Sequence, residues 1–195
     1  MKTDSRTIIE SQPISRRTRI RQTLRWVERG FAVFGVLCLL YMLTVDISMV
    51  TSPSMSPTLQ GKSVDDGDRV VTEKVTRWLR QPRRWEVIVF TRDDGVELMK
   101  RVVGLPGETV QLSKDGRLLI DGKEVEMPPG LNQKHLKFGN LFEGKPVSCG
   151  TGYYVLGDDL KDSDDSRFNG PVKPSRLIGR AWLIVSPWSR FGFVR

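Results

Sequence analysis

Residues 86–103 read EVIVFTRDDGVELMKRVV, and the fold class turns on this stretch. Residues 86–91 and 96–103 are short runs rich in β-branched and apolar side chains, separated by Arg92-Asp93-Asp94-Gly95. Two such runs joined by a short Asp/Gly connection predict a β-hairpin, because glycine supplies the positive φ that tight turns require. In the second run alternate side chains share a face, so Leu98, Lys100 and Val102 point one way and Met99, Arg101 and Val103 the other. A lysine between a leucine and a valine on an apolar face is anomalous. Burial disfavours the charged form, and a fall in pKa from about 10.4 toward 8 corresponds to roughly 3 kcal/mol of charge desolvation. Lys100 is therefore a candidate proton acceptor, with an edge-strand lysine snorkelling to water as the alternative. Arg101 is no candidate base, because a guanidinium stays protonated.

Outward from the hairpin the same texture continues. Gly67-Asp68-Arg69-Val70-Val71 opens a strand after a turn, residues 110–112 and 118–120 flank Lys114-Asp115-Gly116, and Asp121-Gly122 follows, which predicts a small meander. Residues 153–156 (YYVL) and 178–185 (IGRAWLIV) read as further strands. Residues 126–150, with Pro128, Pro129, Gly130, Gly144 and Pro146, read as a loop. No long helical period and no internal repeat occurs in this part, so the expected class is mainly β.

Residues 31–45, FAVFGVLCLLYMLTV, carry no charge. At 1.5 Å per residue they span roughly 22 Å, short of a hydrocarbon core of about 30 Å. Trp26 and Val27 before them and Ile47, Met49 and Val50 after them extend the reach, with Glu28, Arg29 and Asp46 left at the interfaces. A buried core helix would show a polar face, and none is visible. A cleaved signal peptide would have a shorter leader and a small-x-small site. An uncleaved transmembrane anchor over 30–50 is the preferred reading. The chain of 195 residues has a formal charge of +8, and residues 1–30 hold eight basic side chains against three acidic ones. A basic stretch directly before an apolar run fits a membrane better than nucleic acid, and it places residues 1–29 in the cytoplasm and 51–195 on the far side of a cell membrane. Whether residues 5–29 form a basic helix on anionic lipid or a disordered segment stays open.

Cys38 lies in the apolar run and Cys149 far downstream, so an intramolecular disulfide is not expected. His135 is the only histidine and reads as a loop residue, which leaves neither a zinc site nor a Ser–His–Asp triad. No metal or organic cofactor is expected.

Two further stretches carry chemistry. Ser52-Pro53-Ser54-Met55-Ser56-Pro57-Thr58-Leu59 contains two prolines that exclude it from helix and central strand, so Ser54 is expected on a rigid extended segment; a Ser/Pro linker is the alternative. Gly157-Asp158-Asp159-Leu160-Lys161-Asp162-Ser163-Asp164-Asp165-Ser166-Arg167 suits a tight polar loop. A calcium loop competes, although the central glycine and closing glutamate of an EF-hand are missing.

Together, Ser54-Met55-x-Pro57-Thr58-Leu59, Gly67-Asp68-Arg69-Val70, Lys100-Arg101-Val102-Val103-Gly104-Leu105-Pro106-Gly107 and Gly157-Asp158…Ser163-x-Asp165-Ser166-Arg167 resemble the bacterial type I signal peptidase family over about residues 30–185. The resemblance implies a β-rich protease with a small β insertion within about 108–150, preceded by one N-terminal transmembrane helix. It implies a Ser–Lys dyad, with Ser54 as nucleophile and Lys100 as general base. Ser52 then supplies an oxyanion-hole hydroxyl, Ser163 orients the Lys100 amine, and Asp165 and Arg167 form a supporting ion pair. The implied substrates are secreted preproteins cut after small residues, with membrane lipid near the site and the apolar surface around Met55 dipping into it. Where the family often has Asn then Arg after Gly-Asp, this chain has Asp159 and Leu160. Three rival readings are a maturation peptidase with a dedicated substrate such as a pilin, a self-cleaving repressor, and a non-enzymatic anchored β-domain. The repressor would need a DNA-binding helical domain, for which residues 1–29 are too short. The sequence says nothing about oligomeric state.

Overall fold

The first long element of the chain is a helix, α1 (Arg16–Thr44), in a computed structural model that describes residues 16–63, 66–113, 115, 117–129, 131 and 144–195. The chain divides after Met42 into two units. Within residues 19–44 of α1 an 18-residue window has a mean hydropathy of 1.6, the large apolar side chains there are exposed, and among the described residues this is the one helix long and apolar enough to cross a membrane. The helix starts well before residue 30 and ends before residue 50. Val45–Met49 form a strand, β1, whose residues Val45, Ile47 and Met49 alternate with Asp46 and Ser48. That period of two suits a strand, and its backbone groups find a partner in β2 (Arg69–Glu73), with Ile47 opposite Val71.

The second unit is built on antiparallel strands. After β2 come a one-turn helix, α2 (Thr76–Leu79), then β3 (Val87–Thr91) and β4 (Glu97–Gly104), the expected hairpin. Its connection closes with Arg92 N–H donating to the Val96 carbonyl at 2.8 Å and Gly95 at φ 84°, a left-handed conformation that a side chain would strain. A small sheet follows from β5 (Thr109–Leu112), β6 (Leu118–Ile120), β7 (Lys123–Glu124) and β8 (Val147–Ser148), in the order β7-β6-β5-β8. Its strands lie between residues 109 and 148. His135 lies outside the described residues. The chain returns through β9 (Tyr154–Leu156), a second one-turn helix, α3 (Ser166–Asn169), β10 (Leu177–Ser186) and β11 (Gly192–Phe193). The large sheet runs β1-β2-β10-β3-β4-β9, with β11 also paired to β10.

Val50, Met55, Leu59, Val70, Val87 and Val89 are buried together, while Ile88, Phe90, Val102 and Val155 form a second cluster. Fully burying each such side chain contributes roughly 1.5–3 kcal/mol. Leu98 and Val102 pack in one cluster and Met99 in the other, as the alternation along β4 requires. The small sheet shares a third cluster with Val103, Tyr154 and Leu156, so the two sheets pack against each other.

Candidate active site

Ser54 lies in a single 3-10 turn, Pro53–Met55, rather than on the extended segment expected. A proline's fixed φ suits the first position of such a turn, where no N–H is needed, and Ser56 N–H closes it on the Pro53 carbonyl at 2.8 Å. Met55, only 1% exposed, plugs into the core beside Leu59. It is therefore a packing residue. The segment is also fastened from outside. Arg190 donates to the carbonyls of Thr58 (2.9 Å) and Pro57 (3.3 Å) and pairs with Asp68, whose carboxylate accepts the Gln60 N–H. This explains Asp68 in the Gly67-Asp68 motif: it holds the end of the serine loop.

Lys100, opposite Ile88 in the hairpin, is 2% exposed, and its Nζ lies 2.6 Å from Ser54 Oγ. Burial pushes this amine down from 10.5 to about 8, against the opposing pull of Asp165, Asp164 and Asp158. Ser52 Oγ stands 3.1 Å from Ser54 Oγ. The structure thus brings Ser52, Ser54 and Lys100 together.

The loop from Gly157 to Arg167 packs behind them. A Cβ on Gly157 would come within 2.5 Å of the Ser54 carbonyl oxygen and 2.2 Å of Ser163 Oγ, so only glycine fits. Asp159 N–H donates to the Ser54 carbonyl at 3.1 Å. Asp165 and Arg167 form a fully buried two-point ion pair at 2.8 and 3.0 Å, and Asp165 also accepts the N–H groups of Gly157 and Arg167. Arg167 reaches the Leu160 carbonyl at 2.8 Å, and the Leu160 side chain is buried in the cluster shared with the small sheet. The departure at Asp159-Leu160 is thus accommodated by a backbone contact and an apolar one. Ser163 is buried and its Oγ has no hydrogen-bond partner; the expected bond to Lys100 is not formed in this structure.

A second buried pair escaped the sequence reading. Arg101 donates to both Asp158 oxygens (2.7 and 2.6 Å), the Trp85 carbonyl, Thr58 Oγ1 and the Arg195 carbonyl. The only hint was an arginine next to the candidate base. Cys149 is a free buried thiol, pushed up to about 11 by that burial.

A groove of about 490 Å³ opens onto Ser54 and Lys100, walled by residues 46–50 on one side and 96–100 on the other. Strand β1 is outermost in its sheet, and β9 pairs with β4 only at Arg101, Val102 and Gly104. Two strand edges therefore flank the groove, and such edges accept an extended peptide through main-chain hydrogen bonds.

A profile described as signal peptidase, peptidase S26, matches residues 23–188, which include both sheets' main strands and every residue of the serine, lysine and glycine-aspartate motifs. The chain belongs to the signal peptidase S26 family. It is 31% identical over 180 residues to the probable signal peptidase I-2 of Synechocystis sp., covering 87% of this chain and 77% of that protein. Against the signal peptidase I of Bacillus licheniformis it is 31% identical over 171 residues, covering 84% and 89%. A crystal structure of a signal peptidase I from Enterococcus faecalis V583 matches with a TM-score of 0.40 at 30% identity, over 52% of this chain and 97% of that one. Arg190 and Arg195, which fasten the site, lie just beyond the family match.

Proposed function

We propose that this membrane-anchored serine peptidase removes signal peptides from exported preproteins, with Ser54 as nucleophile and Lys100 as general base. The observation that carries the proposal is the 2.6 Å approach of a buried amine to the Ser54 hydroxyl. With its pKa near 8, about a tenth of Lys100 is neutral at pH 7 and can take the serine proton as Oγ attacks the scissile carbonyl. The resulting ammonium then protonates the leaving amine, and the neutral amine next activates water for deacylation. The Ser54 N–H and the Ser52 hydroxyl hold the oxyanion, each donor contributing about 3 kcal/mol. Asp165 and Arg167 brace the loop behind the dyad, and the free Ser163 hydroxyl orients the Lys100 amine during turnover.

The preprotein lies extended in the groove, its backbone paired with the strand edges beside the dyad. Residues 45–195 form the catalytic domain and α1 the single anchor, crossing once. The arginine excess before the apolar run places the N-terminus in the cytoplasm and the catalytic domain outside it.

The test is cleavage of a model preprotein in detergent by the full chain. Ser54→Ala and Lys100→Ala should each lower the rate at least about 1000-fold, and full cleavage by both variants would overturn the dyad. For the intact chain the rate should climb with pH through about 8, since Lys100 must lose its proton to act; a flat profile between pH 6 and 10 would rule it out as base.

A further inference from the structure

Helix α1 is not uniformly apolar. Its first half carries Arg17, Arg21, Arg25 and Arg29, spaced four residues apart. At 3.6 residues per turn this spacing draws them into one slowly winding stripe about 18 Å long. Ile20, Leu24, Val27 and Phe31, spaced by four and three, form a second stripe beside it, and all four are exposed. Glu28 is the only acid in the helix, and among the described residues none of the four arginines is held in an ion pair. The Arg29 guanidinium instead lies over the Trp26 ring at 5.5 Å. The helix then runs without a break into the charge-free stretch that ends at Thr44.

We infer that the Arg17–Arg21–Arg25–Arg29 stripe binds the headgroups of anionic phospholipids. Two features select this occupant. The neighbouring apolar stripe is one that acyl chains cover and that a polyanion such as RNA would leave in water. The arginine stripe is also continuous with the membrane-crossing stretch, so the forks nearest that stretch, Arg25 and Arg29, arrive at phosphate depth, where they can grip oxygens at two points, and Arg21 and Arg17 stand above them in the field of the headgroups. Four cations against one carboxylate favour lipids with net negative charge over zwitterionic ones, whose phosphates are already neutralised within the headgroup. The inference rests on the membrane placement proposed above and is independent of Ser54 and Lys100.

The full chain is reconstituted in phosphatidylcholine vesicles, and trace spin-labelled phosphatidylglycerol is compared with trace spin-labelled phosphatidylcholine for the fraction immobilised at the protein. Retention in the pellet after alkaline carbonate reports insertion separately, so failure of the anchor is distinguished from failure of the stripe. The expected result is roughly a five-fold preference for phosphatidylglycerol. It should fall below about two-fold in the R17Q/R21Q/R25Q/R29Q variant and in 0.5 M salt with the unaltered chain. It should persist in the four-lysine variant and in Arg19→Gln, which lies off the stripe. Equal immobilisation of the two lipids by the unaltered chain would overturn the inference, as would a preference that survives the four glutamines or high salt. Loss of the preference on adding tRNA at equal phosphate would assign the stripe to nucleic acid and overturn the lipid reading. Should the glutamine variant fail to insert, the salt arm still decides.

Discussion

Lys100 and Arg101 are consecutive residues of one strand, equally buried at 2% exposure, and electrostatically they are opposites. Arg101 is saturated: two carboxylate oxygens, two main-chain carbonyls and a threonine hydroxyl take up its fork. Lys100 touches a single hydroxyl. The acids that could neutralise it are already engaged, Asp158 by Arg101 and Asp165 by Arg167. They raise the affinity of Lys100 for its proton, but burial outweighs them. A buried charge is stable when fully paired and costly when not, so the same strand holds one cation permanently charged and leaves its neighbour ready to become neutral. The site depends on that inequality.

The inequality can be broken from either side. The largest effect is expected for Asp158→Asn, which strands the Arg101 charge and should lower stability by about 3–5 kcal/mol in urea unfolding; a loss below about 1 kcal/mol would mean that Arg101 is not held as described. Lys100→Met comes next. Between pH 8 and 10.5 the unfolded chain holds the Lys100 proton and the folded chain has released it, so stability of the unaltered chain should rise with pH across that window, by up to about 3 kcal/mol. The methionine variant should lack this rise and be the more stable of the two below pH 8. Parallel curves would show that Lys100 keeps its ordinary pKa. The smallest effect on stability belongs to Ser163→Ala, within about 1 kcal/mol, because no hydrogen bond is lost with the hydroxyl. Its expected signature is kinetic: kcat falls while KM stays. An unchanged kcat would remove Ser163 from the positioning of Lys100.

Local chemistry was legible in the sequence, and long-range pairing was not. The 86–103 hairpin could be read because turn glycine and β-branched runs act over a few residues, and Lys100 because one charge broke an apolar face. The apolar helix α1 was visible from its missing charges, but its end was not. Val45–Met49 follow directly on the apolar run, and only their partner strand, paired 20 to 28 residues on, makes them a strand. The turn at Ser54 depended on how Pro53 is used, which the presence of proline alone does not decide. Arg101 and Asp158 are 57 residues apart, and nothing near either one advertises the other. The motif resemblance located Asp165 and Arg167, while Asp68 and Arg190, 122 residues apart, took on meaning only with the structure.

The bond from Arg190 to the Pro57 carbonyl spans 133 residues, and it has a consequence in time. Ribosomes deliver Ser54 and Lys100 long before Arg190, and domains close as units rather than strand by strand. A half-made chain thus carries Ser54 and Lys100 with the serine loop unfastened. For a protein that cuts other polypeptides, the late fastener acts as a safety catch: competence waits for Arg190.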